Sequence, residues 1–360
     1  MIKYLGSKRV LVPTLVTLFE SLPNVGSVID LFSGTSRVGH ALKRSGFQVF
    51  ANDHNAYAAT LAQCYVQSDL DDHLIEAQAL LDELSQIPGQ AGFFTESFCV
   101  KSRFFQPHNG ARVDAIRNEI QRLNLTPELK SIVLVSLMEA ADRVDSTTGV
   151  QMAYLKKWAA RSHKNLELRL PDLITRPQNG KCQAHQLDAL DAADTLQADA
   201  AYLDPPYNQH KYLGNYHIWE TLVLWDEPEL YGIACKRTDC RTRKSPYNSK
   251  KHALHTFQSV IERLNVRHLI VSFNNEGYIS PSEMTSMLQS RGEVLMIERD
   301  FKRYVGAQIG IHNQAGKRVG KVSHLTNKEL IYVVTQSPDQ IDIPANMLRP
   351  CSSSSSPTTK

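Results

Sequence analysis

No apolar run in this sequence approaches the roughly 20 residues that a membrane-spanning helix requires, so no transmembrane segment is expected. The first residues, Met1 to Pro13, carry lysines but no apolar block ending in a small-residue cleavage site. A secretory leader is therefore not expected there, and the chain reads as cytoplasmic. Cysteine is scarce and scattered: the six residues Cys64, Cys99, Cys182, Cys235, Cys240 and Cys351 include no CxxC pair, and the histidines do not cluster. That spacing supports neither a disulfide framework nor a zinc site. Internal repeats are absent as well. Low complexity is confined to Ser352–Ser356 and the Pro-Thr-Thr-Lys that follows, so 337–360 is expected to be a flexible tail.

What is present is the composition of a folded protein, with 42% hydrophobic and 21% charged residues. At 360 residues the chain exceeds the roughly 100–200 of an ordinary domain, which points to one enlarged domain or two joined ones. The net charge of +3 is uninformative, but its distribution is not. Lys236–Lys251 holds seven Lys and Arg against Asp239 alone, and 301–328 holds six with no acid, so each segment carries +6. Two such segments in a near-neutral chain are what a polyanion-binding face requires. The alternative for each is a solvated loop.

Hydrophobic patterning organises the chain. Gly26–Phe32 reads as a short buried strand, Gly34–Ser45 as a helix and Phe47–Ala51 as a second strand. Strand, glycine loop, helix and strand form a βαβ unit, which predicts a parallel, doubly wound, Rossmann-like α/β sheet. Helical periodicity then dominates over Leu70–Ser85, Val113–Asn124, Pro127–Arg143 and Gln151–Trp158. The α/β pattern resumes at Cys182–Leu187 and continues through Ala200–Leu203, His268–Phe273 and Val294–Glu298, with a last strand at Glu329–Thr335 read as antiparallel to the one before. The expected organisation is a catalytic α/β domain from 1–59 and 181–336, interrupted by a mostly helical insertion at 60–180.

Two motifs fall at strand ends. Asp30–Gly39 (DLFSGTSRVG) follows the first strand, where a glycine lets backbone approach a ligand and a helix N-terminus offers free N–H groups. Nineteen residues past Gly34, the second strand ends in Asn52-Asp53, an acid placed to accept hydrogen bonds from a ribose diol. Together they suggest a nucleoside-bearing cofactor, although a glycine turn alone is often only structural. The second motif is sharper. Asp204-Pro205-Pro206-Tyr207 follows the strand Ala200–Leu203. The prolines fix the backbone and leave carbonyls without neighbouring donors. A carboxylate and a proline carbonyl can then accept hydrogen bonds from one exocyclic amino group while an aromatic ring stacks on its base. A structural Pro-Pro turn is the competing reading, but Asp and Tyr flanking it at a sheet edge favour function.

These residues resemble the amino-group DNA methyltransferases of the Dam-like, adenine-specific alpha group. Lys3–Lys8 (KYLGSK) resembles the family's N-terminal motif, Phe32-Ser33-Gly34 its cofactor loop, Asp53 its ribose acid and Asp204–Tyr207 its catalytic motif. Asp188 lies where the family places an acid near the cofactor adenine. The likeness runs on through Asn208–Glu220 and Val271–Gly277 and covers most of Ile2–Val334. Ser36 departs from it, because the family often has a second glycine there. The resemblance implies S-adenosylmethionine as cofactor, held by Tyr4, Lys8, Asp30, Phe32, Gly34, Asp53, Asp188 and Asp204. It also implies direct methyl transfer to N6 of an extruded adenine at Asp204, Pro205, Pro206 and Tyr207, with no metal. Duplex DNA is the implied partner, with a cognate restriction endonuclease or a solitary role both open. Arg241, Arg243, Lys244, Lys317 and Arg318 are the candidate nucleic-acid contacts, and the helical insertion is the candidate target-recognition region. An RNA adenine or DNA cytosine-N4 methyltransferase stays as the alternative enzyme, and a nucleic-acid-binding protein with an inactive fold as the non-enzyme alternative.

Overall fold

The computed structural model describes residues 1–302, 311–312, 318–320, 326–336, 341 and 343. Its strands are β1 (Ser27–Asp30), β2 (Gln48–Asn52), β3 (Gln183–His185), β4 (Ala200–Leu203), β5 (Leu230–Tyr231), β6 (Lys236–Arg237), β7 (His268–Asn274), β8 (Glu293–Lys302), β9 (Ile311–His312), β10 (Arg318–Gly320) and β11 (Thr326–Thr335). Seven of them form one sheet in the order β3-β2-β1-β4-β7-β11-β8. All neighbours in it run parallel except β11, which is antiparallel to both β7 and β8. The parallel α/β sheet and the antiparallel last strand expected from the sequence are both present.

Period-two alternation along these strands feeds two cores. Val28, Ala200, Tyr202, Ile270, Ile331 and Val333 face one layer, which includes Leu15, Leu18 and Phe19 of helix Val12–Glu20 and Val38 and Leu42 of helix Arg37–Arg44. Ile29, Ala201, Leu203, Leu269, Val271 and Tyr332 face the other, with Phe257, Val260 and Ile261 of helix Ala253–Arg263 and Met284 and Leu288 of helix Pro281–Leu288. Both faces are covered, so strands such as β7 read as continuous apolar runs. Helix starts are marked in the sequence. Proline opens Pro107–Arg122, Pro127–Arg143 and Pro281–Leu288, and a Ser280/Glu283 capping box reinforces the last.

Helices Leu70–Gln86, Pro107–Arg122 and Pro127–Arg143 occupy the region expected to be helical. They build a third core around Ile116, Ile132, Val135 and Met138, which also takes in Ile2, Tyr57 and Leu61 from before it and Tyr216, Ile218, Trp219 and Leu222 from after it. One expectation fails. Gln151–Trp158 is not a helix, because its polar groups are engaged by distant chain. The Gln151 N–H donates to the Asn215 carbonyl at 2.7 Å, its Oε1 accepts from the Ile218 N–H at 2.9 Å, and Leu155 N–H donates to Ser146 at 2.8 Å. The five described cysteines, Cys64, Cys99, Cys182, Cys235 and Cys240, are buried thiols. Among the described residues no helix is long and apolar enough to cross a membrane. The expected tail at 337–360 lies outside the described residues, apart from 341 and 343.

Candidate active site

The strand order reverses beside β1, with β2 on one side and β4 on the other. At this switch point Asp30 pairs in register with Ala51 and with Tyr202. Ligands of open α/β sheets bind outside the carboxyl ends of strands at such a reversal. A cavity of about 270 Å³ lies there. Tyr4, Lys8, Asp30, Phe32, Gly34, Asp53, Asp188, Asp204 and Pro206 all line it, so one cavity collects residues from five separate stretches of chain.

The loop after β1 is shaped by two left-handed positions. Gly34 has φ +52°, and a Cβ on it would sit 3.3 Å from the Tyr4 ring. Ser36 has φ 58° and ψ 21°, is fully buried, and its hydroxyl has no hydrogen-bond partner among the described residues. The expected second glycine would suit this position because left-handed backbone crowds any side chain. Gly39 donates its N–H to Asp30 Oδ2 at 3.0 Å, and a Cβ there would meet the same oxygen at 3.0 Å.

Besides Asp204, three acids line the cavity in different surroundings. The Asp53 Oδ2 accepts the Gly34 N–H at 3.0 Å and Oδ1 the Asn55 N–H at 2.9 Å. Burial raises the Asp53 carboxyl, against the pull of these two donors. Asp30 is 1% exposed, and its Oδ1 has no partner among the described residues. Burial, opposed by the Gly39 N–H and reinforced by Asp204 and Asp53, pushes it up to about 7. Asp188 is exposed and caps helix Ala189–Thr195 by accepting the Leu190 N–H at 2.9 Å.

Asp204 follows β4, and its side chain is 21% exposed towards the cavity. Lys8 Nζ lies 2.9 Å from Asp204 Oδ1 and also pairs with Glu329 Oε1 of β11. The Ser272 hydroxyl of β7, itself 2.7 Å from the Tyr202 hydroxyl, donates to Asp204 Oδ1 at 3.4 Å. Burial pushes the Asp204 carboxyl up, Lys8 holds it down, Glu329 pushes it up again, and it settles at about 6. Burial would lower the Lys8 ammonium, but the two carboxylates outweigh it and raise it well above the ordinary value. Pro205 is buried, and Tyr207 meets the Phe273 ring edge-on at 5.9 Å while its carbonyl accepts the Tyr278 N–H at 2.9 Å.

Two residues not singled out in the sequence, Tyr212 and Glu329, join the site. Tyr212 lines the cavity and stacks on Tyr4 at 5.3 Å, and Tyr216 stacks on Tyr4 at 4.5 Å. Tyr216 and His217 are buried in packing, the latter with Nε2 3.0 Å from the Gln151 carbonyl. Trp219 is core, whereas Trp225 is half-buried with its Nε1 donating to Asn118 at 2.8 Å. Asn274–Gly277 forms a turn away from the cavity, closed by the Gly277 N–H to the Asn274 carbonyl at 3.0 Å. Glu329 carried one signal, an acid heading an otherwise apolar strand.

The candidate nucleic-acid contacts separate. Arg241 is exposed with its guanidinium 3.8 Å over the Tyr231 ring, and Lys244 is exposed at the cavity rim. Arg243 turns inward and pairs with the buried Glu220 at 2.8 Å. Arg237, in the same basic segment, is buried between Asp226 and Asp239. Arg318 belongs to β10, which pairs antiparallel with β9. Lys317 lies outside the described residues.

The site's relatives are known enzymes. Type II methyltransferase M.NlaIII of Neisseria lactamica is 28% identical over 307 residues, covering 83% of this chain and 90% of that protein. Modification methylase StsI of Streptococcus sanguinis is 29% identical over 80% of this chain and 46% of its own length. Type II methyltransferase M.FokI of Planomicrobium okeanokoites is 29% identical over 81% and 47%. The chain thus spans most of the first protein and about half of the other two. Residues 4–287 match the family model of the D12 class N6 adenine-specific DNA methyltransferases. With its glycine loop, Asp53 and the Asp-Pro-Pro-Tyr motif gathered at one sheet edge, the chain belongs to that family.

Proposed function

We propose that the protein transfers a methyl group from S-adenosylmethionine to N6 of an adenine extruded from duplex DNA, inside the cell. The observation that carries this reading is the single cavity that Asp30, Asp53 and Asp204 share. The residues fit the cofactor. The unpartnered buried Oδ1 of Asp30 suits a cationic group, and the Asp53 Oδ2 keeps a lone pair for a diol beyond the Gly34 N–H it accepts, while Oδ1 is taken by the Asn55 N–H and side-chain amide. Gly34 leaves room for close approach beside Tyr4. S-adenosylmethionine bound there supplies an electrophilic methyl group on a positively charged sulfur.

Asp204 and the Pro205 carbonyl accept hydrogen bonds from the adenine amino group and draw its lone pair out of ring conjugation. Tyr207 stacks on the base and offsets the few kcal/mol that extrusion costs. Asp204, ionised at neutral pH, takes the proton that the nitrogen sheds after transfer. Orientation and electrostatics supply the rate. The helical layer at 60–180 serves target recognition, and Arg241 and Lys244, with Lys317 and Arg318, hold the DNA backbone. The biological role is modification, beside a cognate restriction endonuclease or alone.

Asp204→Ala is the direct test, with tritiated cofactor on unmethylated duplex DNA, single-stranded DNA and RNA, and nucleoside mass spectrometry of the product. Turnover should fall at least about 10²-fold while cofactor and DNA binding persist, because the carboxylate acts at the transition state. N4-methylcytosine as product, label in RNA alone, or near wild-type turnover would overturn the reading.

A further inference from the structure

Lys8 does not form a simple ion pair. Its ammonium is shared between Asp204, which opens onto the cavity, and Glu329, which does not. The Lys8 and Glu329 side chains are 9% and 4% exposed, and the Glu329 Oε2 lies 3.5 Å from Asn274 Nδ2. Two carboxylates and one ammonium leave a net charge of −1 in a nearly closed space. Such a cluster is costly, and apolar side chains would stabilise that end of β11 at least as well. Its arrangement instead bears on Asp204. A lysine paired with Asp204 alone would fully neutralise the oxygen that must accept from the substrate amino group. A second carboxylate on the same ammonium leaves more negative charge on Asp204.

We propose that Glu329 is a positioning residue for methyl transfer: by holding one side of Lys8, it keeps the ammonium shared and leaves Asp204 a stronger hydrogen-bond acceptor than a one-to-one ion pair would. The inference rests on the role proposed above for Asp204. Other groups facing Asp204 are Asp30 from β1, Tyr202 from β4, Ser272 from β7, and Tyr207 and Tyr212 from the loop beyond. Burial raises all three phenols above their ordinary value, so they stay neutral through the working range. Asp30 titrates there, but the charges acting on it are Asp204 and Asp53, not Glu329.

The test is the pH profile of kcat for Glu329→Gln, which keeps shape and an acceptor for Lys8 while removing the charge. Tritiated methyl transfer to unmethylated duplex DNA is followed from pH 5 to pH 9, with Asp204→Asn in parallel. The acid limb should move down by about one pH unit as a neighbouring negative charge is lost. The plateau should fall roughly threefold to tenfold, because acceptance follows basicity, with the KM for S-adenosylmethionine unchanged. Glu329→Asp, which retains the charge, should restore the limb. An unmoved limb, or equal shifts in both variants, would overturn the proposal. If Asp204→Asn itself keeps turnover, the reading of Asp204 fails instead. Should Glu329→Gln not fold, Glu329→Met, similar in volume and uncharged, is profiled in its place: the same downward shift of the acid limb is expected, and an unmoved limb would overturn the proposal.

Discussion

The Gly34 N–H donates to Asp53 Oδ2 at 3.0 Å, joining the glycine loop after β1 to the acid after β2. Asp53 therefore both faces the cavity and fixes the loop that forms its floor. Replacing it with Ala should remove an acceptor for the cofactor and free the loop together. S-adenosylmethionine binding should weaken by about tenfold to a hundredfold, consistent with about 1.5–3 kcal/mol for a charged hydrogen-bonded group. Isothermal titration would show it, and an unchanged Kd would place the ribose diol elsewhere.

Ser36 carries backbone that favours glycine, and a buried hydroxyl with no partner among the described residues. Ser36→Gly should relieve both. The left-handed conformation costs about 1–2 kcal/mol for a residue with a Cβ, and the greater freedom of unfolded glycine takes back about half of that. A net gain of about 1 kcal/mol should appear as a higher urea midpoint with an unchanged slope. A lower midpoint would mean that the serine side chain holds the loop.

Asp30 couples stability to pH. Its folded value of about 7, raised by burial and then by Asp204 and Asp53, lies above the ordinary 3.8 of the unfolded chain. Between those values the folded state binds more protons, so the contribution of Asp30 is fully present below pH 3.8 and is lost as pH rises through about 7. Asp30→Asn should leave the cofactor-free protein as stable as wild type near pH 4 and more stable by a few kcal/mol near pH 8. The same change should weaken cofactor binding, since the unpartnered oxygen no longer carries charge. Equal urea midpoints for the two proteins at pH 8 would show that the carboxylate is not strained there.

Lys244 is exposed at the cavity rim and Arg241 is exposed over the Tyr231 ring, whereas Arg243, which also lines the cavity, is held by Glu220. Changing Arg241 and Lys244 together to Ala should weaken binding to specific and unrelated duplexes alike. The slope of log affinity against log salt should become shallower by about one unit per lost phosphate contact. Arg243→Ala should leave that slope unchanged and instead lower stability by about 2 kcal/mol, because Glu220 loses the cation that compensates its burial. A shallower slope in Arg243→Ala would return that residue to the DNA-facing set.

Strand and helix types were legible in the sequence because their signals are local. Val28 and Ile29 alternate between two covered faces, Pro127 starts a helix, and the run His268–Phe273 has the length and branching of a buried strand. The placement of Asp53 and of the Asp-Pro-Pro-Tyr motif just past strand ends was legible for the same reason, and the fold brings Asp53 and Asp204 to one cavity. Gln151–Trp158 was misread as helix because its donors and acceptors are taken by Asn215, Ile218 and Ser146, which no local period records.

Tertiary structure alone decided how charges are shared. Counting lysines and arginines along Lys236–Lys251 treats Arg237, Arg241, Arg243 and Lys244 as equals. The fold buries Arg237 between two acids, turns Arg243 onto Glu220 and leaves Arg241 and Lys244 outside. The Lys8–Glu329 contact likewise joins the first residues to the antiparallel last strand, which β7 and β8 hold in register. Hydrophobic period and turn chemistry act over a few residues and are written in order along the chain. Ion pairing and burial depend on distances in space, and those exist only once β11 has been inserted between its neighbours.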